Sequence, residues 1–457
     1  MMRAETFSAR ISFARRPAGF RAHTRVRLAL VQRELVEPIA GPLAWPRRFT
    51  VVALFFIATV LCYVDRVSIS VAIIPLARDR GYDAAAQGII LSAFFWGYLW
   101  PQLLGGWMSD RFGGRRVLAS GVAIWSLATL LTPPASVAFS MLIAMRVLLG
   151  LGEGVNFPAI HSITARWTLA EERSRVIALN FSGIHLGTVT AFLVSPAIIV
   201  AFGWHALFYL AGSIGIVWVC VWLWRTAETP DADPLITRDE LATIIAGRPP
   251  APPAVDIPWR VILREKAVWA IAIAHLCTNF GFYILLLWLP TYLDKTFHMA
   301  LPRVGLFSLI PWISTFISSN LAGWIADRML LGGYRVVTVR KTLQSVSFIG
   351  GALPLLLLPS VTTPVQAIAL VTISVACNGF GTGAFAANHL DIAPRYAGIL
   401  MGISNTVATI PGIIGVAAAG FVLRATGSFS AVFYVIAMVY FVGAIGYNLW
   451  ASGDQKL

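Results

Sequence analysis

The chain has 457 residues, 58% of them hydrophobic and 12% charged, with a formal net charge of +14 and a mean hydropathy of +0.75. Soluble domains are about a quarter charged, so this composition cannot cover a water-facing surface. The four cysteines, Cys62, Cys220, Cys277 and Cys377, are isolated from one another, which argues against a metal or redox site and fits small apolar packing residues.

Residues 1–48 stand apart. They hold ten arginines against three glutamates, with no lysine or aspartate, and so carry half the net charge. The absence of an apolar core before Phe49 argues against a secretory signal. An Arg-rich, acid-poor segment with Thr6, Ser8, Ser12 and Thr24 fits an organellar transit leader, or a basic tail against anionic lipid.

From residue 49 onward, apolar runs long enough to cross a bilayer recur, and nearly all charge collects between them. Twelve spans are read at 49–76, 85–108, 117–133, 137–160, 176–201, 205–224, 267–292, 303–326, 342–359, 364–389, 397–423 and 429–450. They lack the alternation of barrel strands, and an open sheet would leave backbone groups unpaired in lipid, so the spans are helices. The loops after spans 2, 4, 6, 8 and 10 carry most of the arginines, among them Arg115, Arg166, Arg225, Arg340 and Arg395. The opposite loops hold Arg78, Arg80, Lys295, Arg303 and Arg424. The positive-inside rule puts both termini on the cytoplasmic side, or the stromal side of a plastid. The net charge is then topology, and no nucleic-acid partner is needed to explain it.

The chain repeats itself. Gly106, Trp107, Asp110 and Arg111 close span 2, and Gly323, Trp324, Asp327 and Arg328 close span 8, 217 residues later. Between them the Pro-rich polar stretch 225–266 reads as a linker. The expected fold is all-α, with 12 transmembrane helices in two pseudo-symmetric six-helix bundles, 49–224 and 267–450, and a short tail, 451–457. Such a repeat places a substrate site between the halves near the midplane.

Four charged residues lie within the spans: Asp65 and Arg66 in span 1, Arg146 and Glu153 in span 4. Charge at membrane depth is costly and functional by default. Arg146 and Glu153 are seven residues apart and share a helix face, about 10 Å apart. Asp65 and Arg66 diverge by about 100°. The plainer reading is an internal salt-bridge network joining spans 1 and 4. The sharper one is that an arginine fork holds a carboxylate or phosphate while a buried carboxylate carries a proton, which is symport.

Of the remaining polar residues, Trp96 and Tyr98 beside Gly97 are placed near the cavity, and Asn388 is assigned to the substrate site. His161, His185, His275 and His389 read as separate packing histidines, and Asp391 and Arg395 as stabilising a loop. No Ser/His/Asp or metal constellation is apparent, so neither an enzyme nor a cofactor is expected.

Gly106, Asp110, Arg111, Gly113, Gly114, Arg115 and Arg116 between spans 2 and 3 resemble the signature loop of the major facilitator superfamily. That resemblance implies a latch for the inward gate, repeated at Asp327 and Arg328. Asp65-Arg66 in span 1, Phe94 to Tyr98, Arg146 with Gly150 and Glu153, Glu172 to Arg175, and Asn388 to Gly398 together resemble the anion:cation symporters. That group includes the type I sodium–phosphate cotransporters, sialin and the vesicular glutamate transporters, and the likeness is greatest to the plant plastid anion (phosphate) transporters. By resemblance, Arg66 contacts the anion, Glu153 and Asp65 couple it to H⁺ or Na⁺, and Arg146 pairs with Glu153. The vesicular glutamate transporters have His where this chain has Leu91 and Arg where it has Thr278, so a compact anion is favoured over a dicarboxylate. The implied location is a plastid membrane, inner envelope or thylakoid, with the plasma membrane as alternative. A monomer is expected. A transporter for another substrate class, or a non-transporting sensor, is the competing reading.

Overall fold

The computed structural model describes residues 45–247 and 257–456, so most of the basic leader and part of the linker lie outside the described residues. Among the described residues there is no strand. Eleven segments are long and apolar enough to cross a membrane. The segment missing from that set is Ala84–Phe112, which is 29 residues long but is diluted by Gln87, Tyr98, Pro101 and Gln102. It packs between spans 4 and 11 and completes the twelve.

Spans 1 to 6 are Arg47–Arg80, Ala84–Phe112, Gly114–Ala135, Phe139–Trp167, Arg173–Phe202 and Trp204–Arg225. Spans 7 to 12 are Lys266–Phe297, Leu301–Leu331, Val336–Leu357, Pro364–Ile392, Ala397–Thr426 and Ser430–Trp450. Among its described residues the linker holds two short α-helices, Arg238–Ala246 and Trp259–Arg264, and a 3-10 turn at Pro230–Ala232. Span 1, at 34 residues, is about 51 Å long, so it tilts or extends beyond the hydrocarbon. Span 4 turns at Gly154 and Val155, immediately after Glu153. Span 10 breaks in the matching place, through a 3-10 turn at Phe380–Gly383. The internal repeat also shows in the prolines: Pro75 with Pro290, and Pro196 with Pro411, both 215 residues apart within equivalent helices.

Spans 2 and 4 touch backbone to backbone. A Cβ on Gly97 would collide with the carbonyl oxygen of Val147, and one on Gly150 with that of Phe94. Gly150→Val overpacks this seam, at a cost of about 1–3 kcal/mol or more. The expected result is a lower melting temperature in detergent. Melting like wild type would mean that the two helices stand farther apart.

The halves meet along spans 2 and 11. Contact begins at Gly88 and Gly420, continues through Phe95 on Gly412, and ends at Asn405, which donates to Gln102 at 2.9 Å. Beyond it, Gly106, Gly398 and Gly402 have no neighbour within 4 Å of a built Cβ. Ion pairs between the halves lie at the arginine-poor ends: Arg78 with Asp294 at 2.6 Å and Arg424 with Asp83 at 3.2 Å. At the arginine-rich ends, Arg48 with Glu172, Arg166 with Glu228 and Arg340 with Asp391 each pair within one half or its flanking linker, and Arg47 and Arg48 pair with Asp233 and Glu240 of the linker. The helices therefore close on the arginine-poor face and part on the arginine-rich one, which is an inward-facing arrangement.

At that arginine-rich end the linker helix holds span 1. Glu240 accepts the backbone N–H groups of Arg47 and Arg48 at 2.9 and 3.0 Å, and Arg47 also binds Asp233 at 2.9 Å. Two of the otherwise unpaired first amides of span 1 are thus satisfied by a carboxylate, favourable at a helix N-terminus.

Candidate functional site

The seam at Gly97 and Gly150 sets the site, because it brings Phe94 and Tyr98 of span 2 over the arginines of spans 1 and 4. Arg66 is buried, with its guanidinium carbon 4.6 Å from the ring centre of Tyr63, 4.8 Å from Phe94 and 4.5 Å from Tyr98. Each such cation–ring contact is worth about 0.5–2 kcal/mol, most where water is excluded. Arg66 donates from Nε at 2.9 Å and pairs from Nη2 at 2.8 Å to one oxygen of Glu153, Oε2. Cys62 Sγ donates to the same oxygen at 3.2 Å, and Arg66 Nη1 donates to the Tyr63 hydroxyl at 3.3 Å. Glu153 Oε1, Asp65 Oδ1 and Arg146 Nε are buried without a hydrogen-bond partner among the described residues.

The structure therefore changes the pairing expected from sequence. Glu153 is paired with Arg66, across spans 1 and 4, and makes no ion pair with Arg146. The seven-residue spacing leaves Arg146 two turns from Glu153, where its guanidinium stands 5.7 Å from the Phe94 ring and close enough to Asp65 and Glu153 for electrostatic contact. Arg66, Arg146, Glu153, Asp65 and Tyr98 thus converge on one buried cluster that holds two basic and two acidic side chains.

Two predicted residues do not join it. Trp96 lies two positions from Tyr98, about 160° around the helix, and is 57% exposed on a stripe with Trp100, Leu104 and Trp107 that faces away from Arg66. Asn388 is fully buried elsewhere. Its amide nitrogen donates to Asp391 at 3.1 Å and to the Ser452 carbonyl at 2.9 Å, and its oxygen accepts from Tyr447 at 3.1 Å. Those contacts bind it into a knot with Arg340, which grips both oxygens of Asp391 at 2.7 and 3.1 Å.

The signature loop is split in its contacts. Gly113 has φ of 91°, left-handed backbone that glycine adopts without strain. Arg115 donates from Nε to Thr226 at 3.2 Å, and Arg166 pairs with Glu228 at 3.3 Å, so this end of the loop is tied to the close of span 6. Among the described residues, Gly106, Asp110, Arg111 and Asp327 make no hydrogen bond or ion pair across to the other half, and Arg328 stacks on Trp324 of its own helix at 5.1 Å.

Sequence reasoning missed a second polar assembly. His275 of span 7 and His389 of span 10 both contact the hydroxyl of Ser404 in span 11, at 3.2 and 2.9 Å. They are 114 residues apart, and no local spacing links them. The available signal was the stripe His275, Asn279 and Tyr283, at the i, i+4, i+8 positions of an otherwise apolar helix. Tyr283 is close enough to Arg66 and Tyr98 to interact with both electrostatically, so the stripe leads to the charged cluster. No group of three or more His, Cys, Asp or Glu capable of holding a metal occurs among the described residues.

Known proteins match this chain in sequence and in fold. The sequence profile of the Major Facilitator Superfamily covers residues 55–416. The chain is 42% identical over 414 residues to "Probable anion transporter 4, chloroplastic" of Oryza sativa subsp. japonica, covering 90% of this chain and 70% of that protein. It is 41% identical over 414 residues to "Ascorbate transporter, chloroplastic" of Arabidopsis thaliana, covering 90% and 76%. It is also 41% identical over 412 residues to "Sodium-dependent phosphate transport protein 1, chloroplastic" of the same plant, covering 90% and 80%. Among solved structures, a bacterial homologue of the human lysosomal transporter Spinster, inward-facing and occupied, matches with a TM-score of 0.72 at 15% identity, covering 89% of this chain and 97% of that one. The D-xylose–proton symporter matches with a TM-score of 0.71 at 14% identity, covering 90% and 99%. These structures agree in fold, and the sequence relatives agree over nearly all the spans: the chain belongs to the Major Facilitator Superfamily, in the group that contains the plant chloroplast anion transporters.

Proposed function

We propose that the chain is a secondary active transporter of a small anion, phosphate-like or carboxylate, working by alternating access in a plastid membrane. The carrying observation is the charge balance at Arg66, Arg146, Asp65 and Glu153. With both carboxyls ionised the cluster is neutral, and a monoanion entering it then leaves one uncompensated negative charge, an expensive state in a low-dielectric site. A cation arriving with the anion removes that cost, so loading of the two is linked. We assign the anion to Arg66 and Arg146, and the coupling ion, H⁺ in the first instance, to Glu153 and Asp65. Tyr98 forms the aromatic lid over the arginine.

The relatives named for phosphate and ascorbate transport support an anionic substrate, and their chloroplast designations support a plastid membrane. The open end at Gly106 and Gly402 supports a state with access to the arginine-rich side, where Asp110, Arg111, Asp327 and Arg328 would act as the latch when that side closes. A monomer that performs transport without chemical turnover, and without nucleic acid, completes the reading.

The test is uptake by purified protein in liposomes, with labelled phosphate and labelled ascorbate under separately imposed pH and sodium gradients. Accumulation driven by pH supports the assignment. Accumulation driven by sodium alone would move the coupling ion to Na⁺. No uptake of either anion would refute the reading.

A further inference from the structure

The His275–Ser404–His389 chain has a direction that its partners fix. His389 Nδ1 lies 3.0 Å from the carbonyl oxygen of Ala386, which only accepts, so Nδ1 carries a proton. In the neutral ring His389 Nε2 is then an acceptor, and the Ser404 hydroxyl at 2.9 Å donates to it. With its proton directed there, Ser404 Oγ accepts from His275 Nδ1 at 3.2 Å. The other acceptor within reach of the hydroxyl, Met401 O, is also at 3.2 Å, longer than the His389 contact. His275 Nε2 is left as an unprotonated acceptor with no partner among the described residues, on a half-buried ring.

We propose that these three residues form a blind-ended proton store in the second half, loaded at His275 while an anion occupies the cavity. This rests on the reading of the chain as an anion transporter. A proton binding His275 Nε2 releases the one on Nδ1 to Ser404 Oγ, and the original Ser404 proton passes to His389 Nε2. The product is one imidazolium at His389, a neutral His275 protonated on Nε2, and a serine hydroxyl pointing back toward His275. No bond other than N–H and O–H is made or broken. Because Ala386 O cannot take up a proton, the chain does not conduct through the protein: the charge leaves by the route it entered.

The surroundings explain why an anion is required. His275 faces His389 across span 10 and Ser404 on span 11, and on its own helix the nearest ionisable groups are Cys277 and Tyr283. The carboxylate nearest along the chain, Asp391, is bound to Arg340 and Asn388. Tyr447, which borders that knot, donates to Asn388. The pair therefore has no counter-ion of its own among the described residues, and a bare imidazolium there is costly. An anion moving along the His275–Asn279–Tyr283 stripe, about 12 Å from end to end, supplies the missing charge.

The experiment uses the full chain with Ser404→Ala, which breaks the relay and keeps both rings, and Ser404→Thr, which restores a hydroxyl. Protons taken up on adding phosphate or ascorbate are read with an indicator in weakly buffered detergent solution. In liposomes, anion exchange is compared with pH-driven accumulation. Ser404→Ala is expected to reduce proton uptake per anion about twofold and accumulation several-fold, with exchange near wild type, and Ser404→Thr to recover both. Wild-type proton uptake and accumulation in Ser404→Ala would overturn the store. So would parallel loss of exchange and accumulation in both variants, which marks a purely structural serine. A wild-type protein that moves neither anion fails the transport reading itself, a result distinct from either.

Discussion

Arg66→Lys loses most anion uptake in proteoliposomes, about tenfold to a hundredfold, although the charge is kept. The side chain uses Nε and Nη2 together on Glu153 while Nη1 reaches Tyr63, and its flat face lies among Tyr63, Phe94 and Tyr98. An ammonium is a compact point charge that cannot reproduce this fork and stack. Losing one charge-assisted hydrogen bond and part of the cation–ring contact accounts for about 1.5–3 kcal/mol, the size of the expected effect. Arg66→Ala adds a folding cost, because it leaves Glu153 buried and unpaired, at about 3–5 kcal/mol. The double variant Arg66→Ala with Glu153→Gln removes both charges and is expected to melt closer to wild type while remaining inactive. Wild-type uptake by Arg66→Ala would remove Arg66 from the substrate site.

Glu153→Gln is expected to separate exchange from accumulation. The amide imitates a protonated carboxyl and keeps an oxygen for Arg66, so the aromatic cage stays assembled. It changes the cluster from two positive and two negative groups to a net single positive charge. An anion then enters without needing a proton at Glu153, and leaves without releasing one from it. Counterflow of labelled against unlabelled phosphate should persist, while accumulation driven by an imposed pH difference should fall about tenfold or more, toward equilibration. Asp65→Asn, whose Oδ1 is the other unpartnered carboxylate oxygen, should weaken accumulation less. Full pH-driven accumulation in Glu153→Gln would make the residue structural and return coupling to Asp65 or to sodium.

The twelve spans and the four intramembrane charges were legible because lipid enforces a simple rule: apolar stretches of helix length, with any exception functional. The pairing among those charges was not. The family resemblance implied Arg146 with Glu153, but the partner is Arg66, which depends on how spans 1, 2 and 4 pack. Gly97 and Gly150 decide that packing, and the collision each Cβ would cause is visible only with both helices in place. Trp96 could have been set aside earlier, since it falls on the Trp100 and Trp107 face and Tyr98 does not. Asn388 could not, because Ser452 and Tyr447 claim it from 64 and 59 residues away. A longer separation, 114 residues, hid the bridge between His275 and His389.

The Glu240 contacts carry a consequence for biogenesis. The first amides of span 1 are satisfied by a residue 193 positions downstream. The chain enters its membrane N-terminus first, so span 1 arrives before Glu240 and Asp233 do. Until they follow, its leading end is satisfied only by water or lipid headgroups. Insertion of the first helix and its final seating are therefore separate events. The second waits until all of the first bundle and the start of the linker have arrived, which makes the linker helix a completion signal for the first half.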